Sequence, residues 1–230
     1  MLQWRHTVPG LDYAQGQVTT DGDHQPAAVH VLRMDLALVQ LQVVMAAETG
    51  ARLAQAPAFR SHAKALAACN GGYFDPDFVP LGLLVSQGGE LSPLRKVDHG
   101  IFAVSARRAR VEHAKKWQRP AELEFAIECG PRLLVGGVAP HFRQDDTARR
   151  VALGVDSAQR TVLAVSEGAA TLRDFAAWLA LDAASGGPAV TDAINLDGGP
   201  SAMLDLRAGG VQAEVRTAVQ VPVGLVVVAR

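Results

Sequence analysis

Two short loops of the same type, each at the end of a predicted strand, constrain the fold more than any other feature of the sequence. The first is the NGG loop, residues 69–75 (CNGGYFD), and the second is the DGG loop, residues 195–201 (NLDGGPS). The DGG loop follows the apolar run Asp192–Ile194, which is typical of a buried strand. Glycines let the backbone approach a ligand closely, and Asn and Asp present amides and carboxylates. We therefore predict one site assembled from two distant segments.

The spacing of the apolar segments predicts a β-rich chain with only two helices. The first helix is predicted over Ala56–Ala67, and the second runs from the N-cap Thr171 to about Ala184. The predicted strands are Val29–Asp35, Ala37–Val44, Leu81–Ser86, Gly100–Ser105, Arg110–His113, Glu124–Glu128, Arg132–Val135, Arg150–Val155, Thr161–Val165, Asp192–Leu196, Ala202–Leu206 and a central Val219–Val228. This pattern favours the α+β class, with a mixed, largely antiparallel sheet or an open barrel. Pro and Gly are dispersed and no linker separates two halves, so a single domain over residues 1–230 is predicted.

Composition excludes several classes of protein. A net charge of −1 gives no general electrostatic attraction to nucleic acid. No apolar run approaches the ~20 residues of a membrane span. The N-terminus lacks the apolar region of a signal peptide, which predicts a cytoplasmic protein if the chain is complete, or a periplasmic or secreted one if a leader has been removed. Only two cysteines occur, Cys69 and Cys129, and buried free thiols are favoured over one disulfide.

The standard cofactor motifs are absent. The sequence has no P-loop, no G-x-G-x-x-G after a strand, no H-E-x-x-H and no zinc-type Cys and His spacing. We therefore predict no cofactor, with a divalent cation left open. A serine hydrolase is disfavoured because Met203 replaces the closing glycine of a nucleophile elbow around Ser201, and no histidine follows it.

The candidate site residues carry amide, hydroxyl, carboxylate, guanidinium or bare backbone groups. Arg150 opens a predicted buried strand, where a guanidinium is suited to bidentate phosphate binding; its alternative is a surface ion pair with Asp145 or Asp146. Glu128 is either a second acid–base group or a structural partner of Arg150. We interpret His99, His113 and His141 as surface or structurally satisfied histidines and leave them out. The remaining candidates are Asn70, Gly71, Gly72, Tyr73, Asp75, Asn195, Asp197, Gly198, Gly199 and Ser201.

Five motifs in order carry a resemblance to a known family. They are NGGYF at 70–74, PLGL at 80–83, GPRL at 130–133, RVALG at 150–154 and the DGG loop. Together they resemble the phosphodiester glycosidase family over about Val29 to Val228. The resemblance implies hydrolysis of a small-molecule or glycan sugar-1-phosphodiester at the anomeric C–O bond, giving a free sugar and a phosphomonoester. By motif, the residues that it places in the conserved cavity are Asn70, Gly71, Gly72, Arg150, Asp197, Gly198 and Ser201.

The chemistry of breaking a glycosyl–phosphate bond suggests a hypothesis for the role of each residue. Arg150 and the N–H groups of the loop glycines would hold the phosphate, and Asp197 would attack the anomeric carbon or activate water. Asn70 would position a sugar hydroxyl, with Glu128 as the second carboxylate. The chain departs from the family at Pro200, where a third glycine is usual, and at Val151, where a threonine is usual; both point to altered substrate preference or lost activity.

Two alternatives stay open on the sequence. One is a non-catalytic envelope or polysaccharide-binding module that keeps the same cavity. The other is a metal-dependent phosphodiesterase with Asp197 and Asp75 as ligands of a hard cation.

Overall fold

A computed structural model describes residues 1–20, 25–143 and 146–230. Strands make up most of the regular structure in these ranges. In chain order they are β1 (Arg5–Val8), β2 (Leu11–Val18), β3 (Ala27–Met34), β4 (Val39–Met45), β5 (Ala67–Asn70), β6 (Leu84–Ser86), β7 (Gly89–Ser92), β8 (Gly100–Ser105), β9 (Arg108–His113), β10 (Leu123–Cys129), β11 (Arg132–Leu134), β12 (Val151–Asp156), β13 (Thr161–Ser166), β14 (Val190–Asn195), β15 (Leu204–Ala208), β16 (Val211–Val215) and β17 (Val223–Ala229). The α-helices are α1 (Ala56–Ala63) and α2 (Leu172–Ala180), and short 3-10 helices occupy Ala46–Thr49, Ala114–Lys116 and Gly199–Ser201.

The strands form three antiparallel sheets that do not close into a barrel. The seven-stranded sheet has the order β1-β2-β3-β13-β12-β14-β11. The two five-stranded sheets have the orders β7-β6-β10-β8-β9 and β16-β15-β5-β17-β4. The predicted α+β class with largely antiparallel strands is confirmed, and β17 is an interior strand between β5 and β4. No parallel pairing occurs among the described strands, so the sheets are not mixed.

A shared core joins the three sheets. One hydrophobic cluster takes Leu163 from the seven-stranded sheet, Phe102 from the second sheet and Leu225 from the third. A second cluster lies on the other face of the seven-stranded sheet, where Phe175 of α2 packs. A third buries Phe59 of α1 against the β17 sheet. The apolar face of each strand therefore packs into an interior to which all three sheets contribute.

Both helices begin as predicted and end early. The Thr171 hydroxyl accepts the N–H of Asp174 and caps α2, which stops at Ala180 rather than about 184. Helix α1 stops at Ala63, and the next residues turn through Lys64 in the left-handed region. Ala67, predicted as the last residue of that helix, instead begins β5, which lies between β15 and β17 and leads into the NGG loop as predicted. Pairing with two strands overrides the helix propensity of this Ala-rich segment.

Sequence patterns missed the N-terminal strands and the partners of others. Strands β1 and β2 extend the seven-stranded sheet beyond β3, although Gly16 and several polar residues weaken their pattern. Strands β3 and β4 are consecutive but belong to different sheets. The β12–β13 hairpin forms as predicted, with Leu153 opposite Leu163.

Cys69 and Cys129 are buried and free, as predicted, without a disulfide between them. None of the helices within the described ranges has the length and apolar character to cross a membrane.

Candidate functional site

The NGG and DGG loops meet, although they extend from strands of different sheets. The side chain of Asn70 joins them: its Nδ2 donates to the carbonyl of Asp197 at 2.6 Å, and its Oδ1 accepts the N–H of Met203 at 3.2 Å. The Asp197 N–H also donates to the carbonyl of Gly71 at 3.3 Å. The two distant segments therefore form one structure. Asn70 is wholly buried, so its amide fastens the loops together, which differs from the expected contact with a sugar hydroxyl.

The loop glycines serve close packing more than anion binding. The N–H of Gly71 donates to the carbonyl of Val223 at 2.9 Å, and that of Gly199 to the carbonyl of Arg149 at 2.8 Å. A β-carbon on Gly71 would lie 2.7 Å from Val223 Cγ1, and Gly199 adopts a φ of +55°, which favours glycine. These two N–H groups are already engaged within the protein, which argues against the predicted phosphate cradle built from them.

Asp197 is half-buried and holds its carboxylate inside its own loop. The hydroxyl of Ser201 and the N–H of Gly198 donate to this carboxylate. Burial raises the pKa of Asp197 above its usual value, and these two hydrogen bonds offset only part of that rise. The N–H of Gly198 is therefore committed to Asp197, and Asp197 is a carboxylate whose basicity exceeds that of an exposed one.

A cleft of about 820 Å³ opens beside the DGG loop. Of the predicted site residues it contains the five Tyr73, Arg150, Asn195, Gly198 and Gly199. The other described residues that line it are Asp98, Pro131, Arg132, Pro140, His141, Phe142, Arg143, Asp146, Ala148, Leu172 and Pro200. Three arginines therefore face two aspartates among the described lining residues, and Asp98 also pairs with His113 at 3.0 Å. This charge distribution favours an anionic ligand.

Arg150 lies immediately before β12 and is held by backbone groups. Its Nε donates to the carbonyl of Ala170 at 2.9 Å, and a terminal nitrogen donates to the carbonyl of Asp146. Its own N–H donates to Ser166 Oγ at 2.7 Å. Asp145, one of its predicted partners, lies outside the described residues. The guanidinium is thus fixed in the wall of the cleft, which avoids the entropy cost of ordering an exposed arginine.

Tyr73 and Asn195 build the floor of the cleft around one carbonyl. The Tyr73 hydroxyl donates to the carbonyl of Gly130 at 2.6 Å, and Asn195 Nδ2 donates to the same carbonyl at 3.3 Å. Asn195 Nδ2 also donates to the carbonyl of Leu196 at 2.6 Å. Burial raises the pKa of the Tyr73 phenol, so it stays protonated and remains a donor. Asn195 Oδ1 is buried and has no hydrogen-bond partner within the described structure.

Glu128 lies beneath this floor at the end of β10 and does not line the cleft. Its Oε2 accepts the N–H groups of Leu83 and Arg95, both at 2.9 Å. These bonds replace the structural pairing with Arg150 that the sequence suggested. Its Oε1 is buried and unpartnered, 3.8 Å from Nδ1 of His99.

Besides Glu128, six predicted residues lie outside the cleft lining: Asn70, Gly71, Asp197, Asp75, Gly72 and Ser201. Asp75 shapes its own loop, because its Oδ1 accepts the N–H groups of Asp77 at 2.9 Å and Val79 at 2.8 Å. Gly72 packs against the backbone of β10, and Ser201 is buried under the DGG loop. Their contact with a substrate stays a prediction.

The structure also reveals lining residues that sequence reasoning missed. Arg132 directly follows Gly130-Pro131, so its place in the GPRL motif was the available signal. His141 and Arg143 come from residues 139–143, which form no helix or strand and whose conformation no local pattern predicts. Val151, one of the two departures from the family, packs in the shared core, and only Pro200 of the two borders the cleft.

No group of three or more His, Cys, Asp or Glu side chains able to hold a metal ion occurs in the portion of the chain that the structure describes. The absence of a cofactor stays a prediction.

Sequence comparison matches residues 63–228 to the family described as phosphodiester glycosidase. The chain is also similar to the uncharacterized protein YigE of Escherichia coli K12, with 24% identity over 123 residues. That alignment covers 48% of this chain and 48% of YigE, so the chain matches about half the length of that relative.

Solved structures share the fold. The catalytic domain of zebrafish N-acetylglucosamine-1-phosphodiester alpha-N-acetylglucosaminidase, auto-inhibited by its pro-peptide, aligns with a TM-score of 0.74 and 20% identity, over 100% of this chain and 88% of that one. A hypothetical protein from Synechocystis aligns with a TM-score of 0.67 and 16% identity, over 100% of this chain and 64% of that one. At these identities the likeness establishes a common fold.

Proposed function

Since the chain belongs to the phosphodiester glycosidase family, we propose that it hydrolyses a sugar-1-phosphodiester between the anomeric carbon and the phosphate oxygen. The products are a free sugar and a phosphomonoester. The observation that carries the proposal is the arginine-rich cleft beside the DGG loop, in which Arg132, Arg143 and Arg150 converge. Its volume, about 820 Å³, lies within the range of small-molecule sites.

The phosphate is assigned to the guanidinium groups because Gly71, Gly198 and Gly199 already use their N–H groups within the protein. Arg150 is the best placed, since backbone carbonyls fix it in the cleft wall. A phosphomonoester is already a good leaving group, so neutralising the charge that develops on it matters more than protonating it.

Asp197 is the carboxylate of the reaction. A half-buried carboxylate beside the anomeric carbon can attack that carbon or stabilise the positive charge of an oxocarbenium-like transition state. Ser201 and Gly198 hold it in one orientation. Asn195 and Tyr73, on the floor of the cleft, are assigned to the sugar.

A panel of UDP-sugars and other sugar-1-phosphodiesters, scored for free reducing sugar in ¹⁸O-labelled water, tests the proposal. Cleavage at the anomeric carbon places the label in the sugar. Label in the phosphate product, with loss of activity on chelation, would instead identify a metal-dependent phosphodiesterase. Binding by calorimetry without turnover of any compound would identify a binding module.

Arg150→Ala tests the phosphate role, with Arg149→Ala as the matched control. The side chain of Arg149 donates to the carbonyl of Arg216 and does not line the cleft. Loss of one preorganised donor to transition-state charge costs about 2.7–4 kcal/mol, or roughly a hundredfold or more in kcat. Normal turnover in the folded Arg150 variant removes this residue from the mechanism. Asp197→Asn is expected to be nearly inactive with its circular dichroism unchanged.

A further inference from the structure

Two buried polar atoms near the cleft face each other without partners. Oε1 of Glu128 and Nδ1 of His99 are 3.8 Å apart, and neither has a hydrogen bond within the described structure. Glu128 cannot turn away, because its other oxygen accepts the N–H groups of Leu83 and Arg95. Buried polar groups are almost always paired, so a small rotation of the imidazole that closes this gap is favourable. A carboxylate only accepts, so the bond that forms requires the proton on Nδ1.

The imidazole of His99 lies among residues that line the cleft, although His99 is not itself a lining residue. The side chain of His99 is 28% exposed although Nδ1 is buried, so its exposure comes from other atoms of the side chain. Its Cδ2 lies against Gly130, and its ring packs on Tyr73 with centroids 5.9 Å apart. Asp98, which precedes His99 in sequence, and Pro131, which follows Gly130, both line the cleft. With Nδ1 protonated, Nε2 carries the lone pair of the ring, on the side away from Glu128.

Burial lowers the pKa of His99, and Arg95 lowers it further, while Glu128 and Asp98 act in the opposite direction. Burial is the largest effect, so the neutral imidazole is favoured near neutral pH. Tyr73, the remaining titratable group in contact with the ring, stays protonated and adds no charge. The form that can accept a proton is therefore the resting form.

We propose that His99 is the general base of the hydrolysis and that Glu128 is its positioning residue, fixing the Nδ1–H tautomer so that Nε2 receives the proton of the attacking water. This inference rests on the proposed function. In this scheme Glu128 takes part in acid–base catalysis, as predicted from the sequence, but it acts through His99 rather than by contact with the substrate.

The step balances without any further reactant. Nε2 of His99 takes one proton from water as the water oxygen bonds to the anomeric carbon. The bond from that carbon to the phosphate oxygen breaks, and its electron pair leaves with the phosphomonoester. The imidazolium then releases its proton to solvent. Asp197 does not act as the base in this scheme and is left to stabilise charge at the anomeric carbon.

Glu128→Gln is the decisive variant because it keeps the fold contacts and reverses the tautomer. The glutamine oxygen is required by the N–H groups of Leu83 and Arg95, so its NH₂ group faces His99. Nδ1 must then accept, and the proton moves to Nε2. Nitrogen-15 chemical shifts of the histidine rings report the tautomer directly. We expect Nδ1–H in the natural protein and Nε2–H in the variant; the same tautomer in both would refute the pairing.

Kinetics test the base role separately. His99→Gln and Glu128→Gln are each expected to lower kcat by about 10²–10⁴-fold, the usual contribution of a general base, with KM little changed. The double variant should be no slower than the slower single variant, because both act through one imidazole. His6→Gln removes a histidine that also pairs with a carboxylate, Asp12 at 3.1 Å, outside the cleft, and should leave kcat unchanged.

The pH profile separates a base from a structural residue. Natural protein should lose kcat at low pH with the titration of His99, and His99→Gln should lack that acid limb. Retention of at least half the natural kcat in folded His99→Gln would overturn the base role. If the natural protein hydrolyses no compound of the panel, the proposed function and the base role fail together, whereas the tautomer result still decides whether Glu128 and His99 are paired.

Discussion

The hydrogen bonds by which Asn70 connects the NGG and DGG loops predict a large and measurable loss of stability in Asn70→Ala. The substitution leaves the carbonyl of Asp197 and the N–H of Met203 without their partners in a wholly buried place. The carbonyl of Gly71 still accepts the N–H of Asp197, so it contributes little to the loss of stability. Each orphaned buried group costs about 1–3 kcal/mol, so the free energy of unfolding should fall by about 2–6 kcal/mol.

Urea unfolding followed by tryptophan fluorescence measures this loss, with Thr7→Ala as the control. The hydroxyl of Thr7 is also buried but donates only to the nearby carbonyl of Leu11 at 2.8 Å. Its removal should cost about 0.5–1.5 kcal/mol. An Asn70 variant that loses less than this control would refute the view that this amide holds the two loops together.

Asn70→Asp tests whether the loss of stability changes with pH in the expected direction. The new carboxylate cannot donate and faces the carbonyls of Asp197 and Gly71, so its ionised form is disfavoured in the folded protein. Its folded-state pKa is then raised above the unfolded value, and the folded protein binds more protons. Stability should fall as pH rises from the unfolded pKa toward the folded one. The variant should therefore lose less stability relative to the natural protein at acidic pH than at pH 8; equal losses would contradict the argument.

Three further predictions concern the site and the core. Ser201→Ala removes a hydrogen bond that lowers the pKa of Asp197, so the pKa of this carboxyl group, followed by its carbon-13 chemical shift, should rise; an unchanged pKa would show that Ser201 does not hold the carboxylate. Gly224→Ala places a β-carbon 2.3 Å from a buried phenylalanine ring of α1 and should cost about 1–3 kcal/mol in thermal unfolding, whereas Gly89→Ala, which meets only a carbonyl at 3.5 Å, should be nearly neutral. Burial raises the pKa of the Cys129 thiol to about 12, so neither cysteine should react with a disulfide reagent at pH 8 until the protein unfolds, and fast reaction in the folded state would contradict this.

The sequence determined the class of fold, the family and the meeting of the NGG and DGG loops. The family came from the resemblance of five ordered motifs. The fold class and the loops follow from local order along the chain, because apolar alternation marks strands and Gly, Asn and Asp mark their ends. The hairpin of β12 and β13 and the cap at Thr171 were predictable for the same reason, because their partners are close in sequence.

Only the tertiary structure decided what the predicted residues do. Asn70, Gly71 and Glu128 look like ligand-binding groups in a linear motif, yet backbone groups distant in sequence use their hydrogen-bonding capacity. Conversely, His141 and Arg143 line the cleft although no local pattern identifies them. A hydrogen bond requires a donor and an acceptor that lie close together. The sequence shows which donors and acceptors exist, but only the tertiary structure brings particular pairs within about 3 Å of each other.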